Sequence, residues 1–459
     1  MKKIISTFLF LFCFASFVFS QNKKINSTEA NTSESANEIT LTLEDALKFA
    51  KSHASEFRAS DIDLEIKKRA RLHSWNVFLP TANASASLSR ANEVQQMSFP
   101  PVKETESLHW TFVGNIGFGI NLSLAYIGQI KAAYADYEAG LLSYEQSIRK
   151  TTANVKKMFY AILIQQENLR LQKTNLENAR KRLEQAQINY RNGLIPEIKL
   201  LQVQVQYENQ KPQLVQAEMN VEQQLDMFAF IIGMSSGSHI KLSGNINPTF
   251  AEVDADELIE KYLNDTVEVK SIDKNIEVMK QNLLALNFAS YSPVLSFNWN
   301  YQPMKSDIFN KDNDAKFFDR GALTATLAID IMKMLPFSSQ RKQAADLKSN
   351  IEKLEISRYQ LAENQKLSVR TAVNKLMQAK QQLDSVNANV SLAERSYTMT
   401  LRSYENGATE LLDLRDSENQ LLQAQLGLAN QKYNYISALL DLEGILNADL
   451  TSYIEKEAE

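Results

Sequence analysis

The sequence predicts a mainly helical chain interrupted by short pairs of strands, with the whole plan written twice. Three observations carry that expectation. Glycine (13) and proline (9) are too scarce in 459 residues for an all-β sandwich or barrel of this size. Apolar residues recur at every seventh position over two long stretches, while four short stretches alternate apolar and polar residues. Motifs of the first half return in the second at a nearly constant shift.

The chain begins with a stretch that reads as a secretory signal, residues 1–20. Lys2 and Lys3 precede an apolar run from Ile4 to Phe19, and Val18-Phe19-Ser20 precedes Gln21. Read as a membrane anchor instead, those 16 residues are short for a span. Cys13, the single cysteine, lies in Phe10-Leu11-Phe12-Cys13, which lacks the small residue a lipoprotein signal places before its cysteine. No lipid attachment is expected, and the mature chain is free of cysteine. Removing Lys2 and Lys3 leaves 48 basic against 54 acidic residues, a net charge of −6 that argues against nucleic-acid binding. Residues 21–38, rich in Asn, Ser, Glu and Lys without periodicity, read as a disordered lead-in. The longest apolar run elsewhere is Met227–Met234, so the exported chain is either soluble or held in a membrane by strands.

Two repeats follow, 39–247 and 248–449, with a tail at 450–459. Tyr190-Arg191-Asn192-Gly193 returns as Tyr404-Glu405-Asn406-Gly407, a shift of 214. At that shift Leu200 meets Leu414, Leu214 meets Leu428, and Ile231-Ile232 meets Ile445-Leu446. Leu79-Pro80 corresponds to Ser292-Pro293 at a shift of 213. A unit of about 200 residues is far longer than a solenoid repeat, so a whole domain is duplicated.

In the first repeat a helix is expected over 41–76, strands at about 80–90 and 109–124, a long helix over 129–190 and a shorter one over 196–232. The second gives a helix, strands at about 293–302 and 321–332, a long helix over 339–404 and a shorter one over 409–446. The long helices carry the seven-residue beat. Leu141, Ile148, Val155, Ile162, Leu169, Leu176, Leu183 and Tyr190 fall at successive sevens, as do Val369, Leu376, Leu383, Val390, Tyr397 and Tyr404. A companion row of mostly small residues (Ala179, Ala186, Ala372, Ala379, Val386 and Ala393) lets backbones approach. Such rows keep two helices in contact only when they supercoil left-handedly, so antiparallel coiled-coil hairpins are predicted. At 1.5 Å per residue neither shorter helix covers the long one, and two stacked end to end roughly can. Pro212, replaced by Leu426 in the second repeat, should bend its helix locally. Outside the seams the helices are polar, which suits a wall one helix thick.

The strands alternate apolar and polar residues. Trp110, Phe112, Ile116, Phe118, Ile120, Leu122 and Leu124 stand against Thr111, Asn115, Gly117, Gly119, Asn121 and Ser123. Ala82, Ala84, Ala86 and Leu88 alternate with Asn83, Ser85, Ser87 and Ser89. In the second repeat Leu295, Phe297, Trp299 and Tyr301, then Leu323, Ala325, Leu327, Ile329 and Ile331, form the apolar set. This is the pattern of an outer-membrane barrel strand, and equally that of a half-buried soluble sheet. Four strands cannot close a barrel, and an open edge in lipid leaves backbone groups unsatisfied. Membrane strands would therefore have to be shared between chains, and three chains supply twelve, within the known range. The polar connections 90–108 and 302–320 would be the outer loops.

Taken in order and spacing, the signal, the duplicated halves, the strand pairs before each long helix and the Tyr-x-Asn-Gly turns resemble the TolC-like outer-membrane factors over residues 39–449. The resemblance implies a homotrimer with a 12-stranded outer-membrane β-barrel continued by a periplasmic α-helical barrel. It implies an outer-membrane channel of a tripartite efflux or type I secretion system, with a periplasmic adaptor (membrane fusion) protein and an inner-membrane pump as partners. Arg191, Asn192, Gly193, Leu194, Ile195, Asn406, Gly407 and Ala408 then become adaptor-docking tips, although glycine there also simply ends a helix. Asp413 and Asp416, with Tyr404, match the family's pore aperture, although acidic residues early in a helix also suit its dipole. The family lock pairing an arginine after the second turn with an aspartate after the first is not reproduced, since Thr409 and Lys199 stand there. Trp110, Phe112, Ile116, Phe118, Ile120, Leu295, Phe297, Trp299, Leu327 and Ile329 would face lipid. The other class open to such a chain is a non-transporting periplasmic coiled-coil scaffold or adhesin stalk.

Other chemistry is sparse. His53, His73, His109 and His239 are scattered, and no phosphate loop or nucleophile elbow occurs. No catalysis, metal or cofactor is expected.

Overall fold

The computed structural model of the chain describes residues 39–90, 110–235, 237–246, 250, 253–263, 266–306, 308–309, 316–448 and 450. The expectations for the signal segment, the lead-in, nearly all of the first outer connection and the tail beyond residue 450 lie outside them.

The helices dominate. A short strand, β1 (Ile39–Leu41), leads into α1 (Leu43–His53) and α2 (Ser55–Leu72). Thr42 caps α1: its hydroxyl accepts from the Asp45 N–H at 3.3 Å and donates to the Asp45 carboxylate at 2.6 Å. The single helix expected over 41–76 is broken at Ala54, whose backbone is extended (φ −61°, ψ 133°). The reason is a close approach. Gly233, which caps the end of helix Glu197–Ile232, lies where a Cβ would come 2.4 Å from the His53 carbonyl oxygen. Ala46, Ala50, Ala54 and Phe57 turn into the core at this break.

Two long helices, α3 (Ala125–Arg191) and α8 (Ser339–Glu405), have 67 residues each, about 100 Å. Each folds back on a 36-residue partner, α4 (Glu197–Ile232) or α9 (Leu411–Leu446). Two further helices, α5 (Ala255–Tyr262) and α6 (Val267–Tyr291), precede the second strand pair. Near the sheet α3 is flanked by α2 and α6, and farther out by α4 and α9, while α8 packs on α6 and then on α9. The shorter helices thus follow one another along the long ones. The seven-residue rows are buried through their middles, at Val155, Ile162 and Leu183 and at Val369, Leu376 and Leu383. They fray at the ends, where Leu141 and Tyr190 are exposed.

Two apolar cores form where the shorter helices end. The first joins Phe57, Val155, Phe159, Ile162, Phe228 and Ile232 to β1 and its parallel partner β4 (Ile240–Leu242). The second joins Leu258, Val369, Leu376, Tyr435, Leu442 and Leu446. Val155, Ile162, Phe228 and Ile232 stand 214 residues before Val369, Leu376, Leu442 and Leu446.

One antiparallel sheet caps the helices. Its main order is β2 (Thr81–Arg90), β3 (Trp110–Leu122), β5 (Val294–Tyr301) and β8 (Leu323–Ala328). Two short strands, β6 (Pro303–Ser306) and β7 (Phe318–Asp319), correct the outer connection expected over 302–320. They extend β5 and β8 outward in unchanged register, since Ile116 meets Tyr301 and Phe112 meets Lys305 along β3. The ladder skips because Pro303 has no N–H, and Asp319 accepts the neighbouring N–H groups of Gln302 (2.8 Å) and Gly321 (2.7 Å). The strand expected over 321–332 is likewise corrected. It stops at Ala328, where Asp330 accepts the Met332 N–H at 3.1 Å and starts a short helix, α7 (Ile331–Met334). Ile329 therefore lies just past the strand.

Candidate functional site

At the end of the helices remote from the sheet, two turns reverse the chain identically. Gly193 (φ +70°) and Gly407 (φ +71°) take the left-handed conformation after Asn192 and Asn406. The N–H groups of Gly193 and Leu194 donate to the Tyr190 and Asn189 carbonyls, and those of Gly407 and Ala408 to Tyr404 and Ser403. Nothing lies within 4 Å of a Cβ built on either glycine, so the backbone angle rather than crowding demands it. Arg191, Asn192, Gly193 and Leu194 are exposed, as are Asn406, Gly407 and Ala408. Leu194, 71% exposed, is an apolar tip without cover among the described residues. Ile195 is half-buried beside Leu183, Ala186 and Val203.

Between the two turns lies a groove lined by Arg182, Ile195, Lys199, Tyr404, Thr409 and Glu410. Tyr404 contributes its side, half-buried, while Asp413 and Asp416 stand exposed one and two turns along α9. Asp413 accepts the Glu410 N–H at 3.3 Å, the capping role that its place in the first turn allows. Arg415 reaches Asp416 at 3.1 Å. Lys199, after the first turn, meets Glu410, after the second, at 3.7 Å. The charges across the groove are therefore the reverse of an arginine-to-aspartate lock.

Deeper in, one ion pair ties the hairpins together. Arg182 of α3 grips both carboxylate oxygens of Glu418 on α9, at 2.8 and 2.6 Å, and Glu418 is only 5% exposed. Burial pushes the Glu418 carboxyl above the usual range, and Arg182 pulls it partly back. The Tyr397 hydroxyl of α8 is also raised, by burial first and then by the Glu418 charge. Sequence periodicity missed this cluster because Arg182 and Glu418 read there as ordinary charged positions. Their 236-residue separation leaves no local signal.

At the other end, the register sorts the strand residues onto two faces, since directly paired residues share a face. Ala82–Phe118–Trp299–Leu323 form one cross-strand row, and Leu122–Leu295–Leu327 another. Trp110, Phe112, Ile116, Phe118, Ile120, Leu295, Phe297, Trp299 and Leu327 share this face, with Phe118 and Trp299 stacked at 5.7 Å. Nothing among the described residues covers it: Phe118 is 47%, Trp299 45% and Leu323 76% exposed. The opposite face carries Asn83, Asn121, Asn298, Ser296 and Thr324, with Ser296 donating to Asn121 at 2.7 Å. Toward its outer end that face turns apolar at Val113, Met304 and Phe318, which strict alternation had not anticipated. β2 and β8 each have a single strand neighbour among the described residues. Also among them, no helix is long and apolar enough to cross a membrane and no acidic, His or Cys cluster could hold a metal.

The chain matches the family model described as outer membrane efflux protein over residues 75–234 and 291–448. Solved structures share its fold at low identity. The CmeC outer membrane channel of Campylobacter jejuni is 16% identical, with a TM-score of 0.74 over 91% of this chain and 89% of that one. The outer membrane protein VceC of Vibrio cholerae is 13% identical, with a TM-score of 0.69 over 88% and 96%. The open state of the MtrE outer membrane channel of Neisseria gonorrhoeae is 16% identical, with a TM-score of 0.66 over 88% and 89%. No curated protein sequence matches the chain.

Proposed function

The chain belongs to the outer membrane efflux protein family, and on that footing we propose that three copies form one passive export duct. Its place is the outer membrane, with the helices extending into the periplasm. In the proposed duct a periplasmic adaptor opens the remote end and an inner-membrane pump supplies the driving force, as in tripartite efflux or type I secretion. The observation that carries the reading is an apolar sheet face that no described residue covers, in a sheet that ends, among the described residues, in two single-sided strands, β2 and β8. In hydrocarbon such edges leave each unpaired backbone group several kcal/mol unfavourable, so they must pair with another copy. Three sheets of four strands make twelve. The scaffold or stalk alternative gives that apolar face no role.

The duplicated plan gives each copy two hairpins, so the trimer presents six tips. Arg191, Asn192, Gly193, Leu194 and Ile195, with Asn406, Gly407 and Ala408, form the adaptor-docking surface. Asp413 and Asp416, beside Tyr404, ring the aperture. Three-fold symmetry gathers six carboxylates there, which favours cations over anions. Lys199 and Glu410 bridge the hairpins in the closed state. The family is a channel class, and the duct itself carries out no reaction.

Outer-membrane fractionation should yield heat-sensitive trimers that conduct in planar bilayers; a soluble monomer would overturn the duct. Changing Asp413 and Asp416 together to Asn should lower cation selectivity with conductance retained. Unchanged selectivity would remove the aspartates from the aperture.

A further inference from the structure

The outer end of the apolar face carries two cations that the duct does not explain. Arg90 ends β2 directly opposite Trp110, and Lys305 of β6 lies opposite Phe112. Paired residues share a face, so both charges belong to the lipid-facing side. Around them stand aromatic rings: Phe309 edge-on to Trp110 at 6.0 Å, and Phe317 edge-on to Phe112 at 5.9 Å. The Lys305 ammonium lies 6.0 Å from the Phe317 centroid. Among the described residues neither Arg90 nor Lys305 pairs with a carboxylate, and Asp319, on the same face opposite Pro303, accepts instead from the backbone of Gln302 and Gly321.

Height decides what these cations meet. From Leu122, beside the helices, to Phe112 is ten residues, about 33 Å along a strand. At a tilt of about 45° that rises about 23 Å, close to the full apolar band of about 25 Å. Lys305 therefore reaches the outer edge of the hydrocarbon and Arg90 stands one row beyond it. A cation at mid-membrane would be strongly unfavourable, whereas at headgroup level it is tolerated and attracts anions.

Resting on the barrel reading above, we infer that Arg90 and Lys305, framed by Trp110, Phe112, Phe309 and Phe317, form a binding surface for the phosphate of an outer-leaflet glycolipid headgroup. The guanidinium offers a phosphate two parallel N–H donors, and the ammonium adds a second positive charge. The rings suit the boundary between acyl chains and headgroups. The two cations call for an anion, and placement at the headgroup level with aromatic framing selects a phosphorylated lipid rather than a free one.

The test uses the full trimer in nanodiscs of phosphatidylcholine, alone or with bis-phosphorylated lipid A. Lipid A should raise the heat-dissociation temperature of the wild-type trimer, and dephosphorylated lipid A or inorganic phosphate should not. Replacing Arg90 with Gln should weaken lipid A binding about fivefold, and adding Lys305→Gln about thirtyfold. Arg90→Lys should retain most of it, which separates charge from misfolding. An unchanged affinity in the double variant would overturn the site, and an equal response to inorganic phosphate would overturn the lipid as its occupant. Conductance of the same preparations reports the duct separately: its absence in both lipids would overturn the barrel and this surface with it.

Discussion

The hairpin of α3 and α4 and that of α8 and α9 have the same helix lengths and the same glycine turn, yet they are buried very differently. Helix α9 lies between α8 and α3 and buries Leu414, Ser417, Glu418, Ala424, Gln431, Tyr435 and Leu442 along its length. Helix α4 packs along α3 and meets α1 midway along α3, and it buries chiefly that end, at Phe228, Ala229 and Ile232. Its free side exposes Leu201, Val205, Val215, Met219 and Phe230. Leu201 and Val205 stand 214 positions before Arg415 and Asn419, which α9 exposes. Two helices of one plan thus carry opposite chemistry on their outward sides, and apolar residues in water call for a cover. The seams differ too. In the first hairpin Asn168, Gln172, Asn175 and Gln210 leave side-chain oxygens buried without a partner, whereas Gln431 in the second donates to Ala379 and Gln382, both at 3.1 Å. The difference teaches that, among the described residues, the chain covers hairpin two on both sides and leaves one side of hairpin one open.

The pair joining the hairpins offers the largest effect. Arg182→Ala strands a buried carboxylate on α9 and should cost about 3–5 kcal/mol in denaturant unfolding, with Glu418→Gln costing clearly less. Equal losses would mean that the pair acts through shape alone. Grafting the surface of α9 onto α4, by Leu201→Arg with Val205→Asn, should disrupt the trimer in size-exclusion chromatography by about 2–3 kcal/mol while leaving helix content intact. A trimer as stable as wild type would refute the missing cover. Pro212→Leu, which copies Leu426, should restore a helix hydrogen bond and stabilise α4 by about 1–3 kcal/mol, read as slower amide exchange around Gln210. The smallest effect is with pH. Because the folded-state value of Glu418 is raised, the native state binds its proton more readily than the unfolded chain does. Its contribution therefore falls as pH rises through that range and is regained on acidification. Wild type should gain on Glu418→Gln in melting temperature as pH falls from about 7 to about 4. The opposite slope would show that Arg182 outweighs burial.

Local pattern reached some of this and stopped at identifiable places. Heptad rows, glycine turns and two-residue alternation mark long helices, reversals and strands, because each depends on residues close in sequence. The glycines of both turns, Gly193 and Gly407, could be numbered for the same reason. The break at Ala54 was hidden because its cause is Gly233, distant in the chain. The end of β8 turned on one side chain, Asp330, capping the next turn. The Val113, Met304 and Phe318 patch was invisible because only strand register brings these three together.

The sequence by itself determined that this chain makes two long hairpins and a set of amphipathic strands, since periodicity is a local property of neighbouring side chains. Only the tertiary structure decided which hairpin is covered, that Arg182 closes on Glu418, and which strands pair, with β2 and β8 outermost among the described residues. Those outcomes depend on contacts between residues far apart in the chain, and apolar burial and charge pairing take no account of sequence distance.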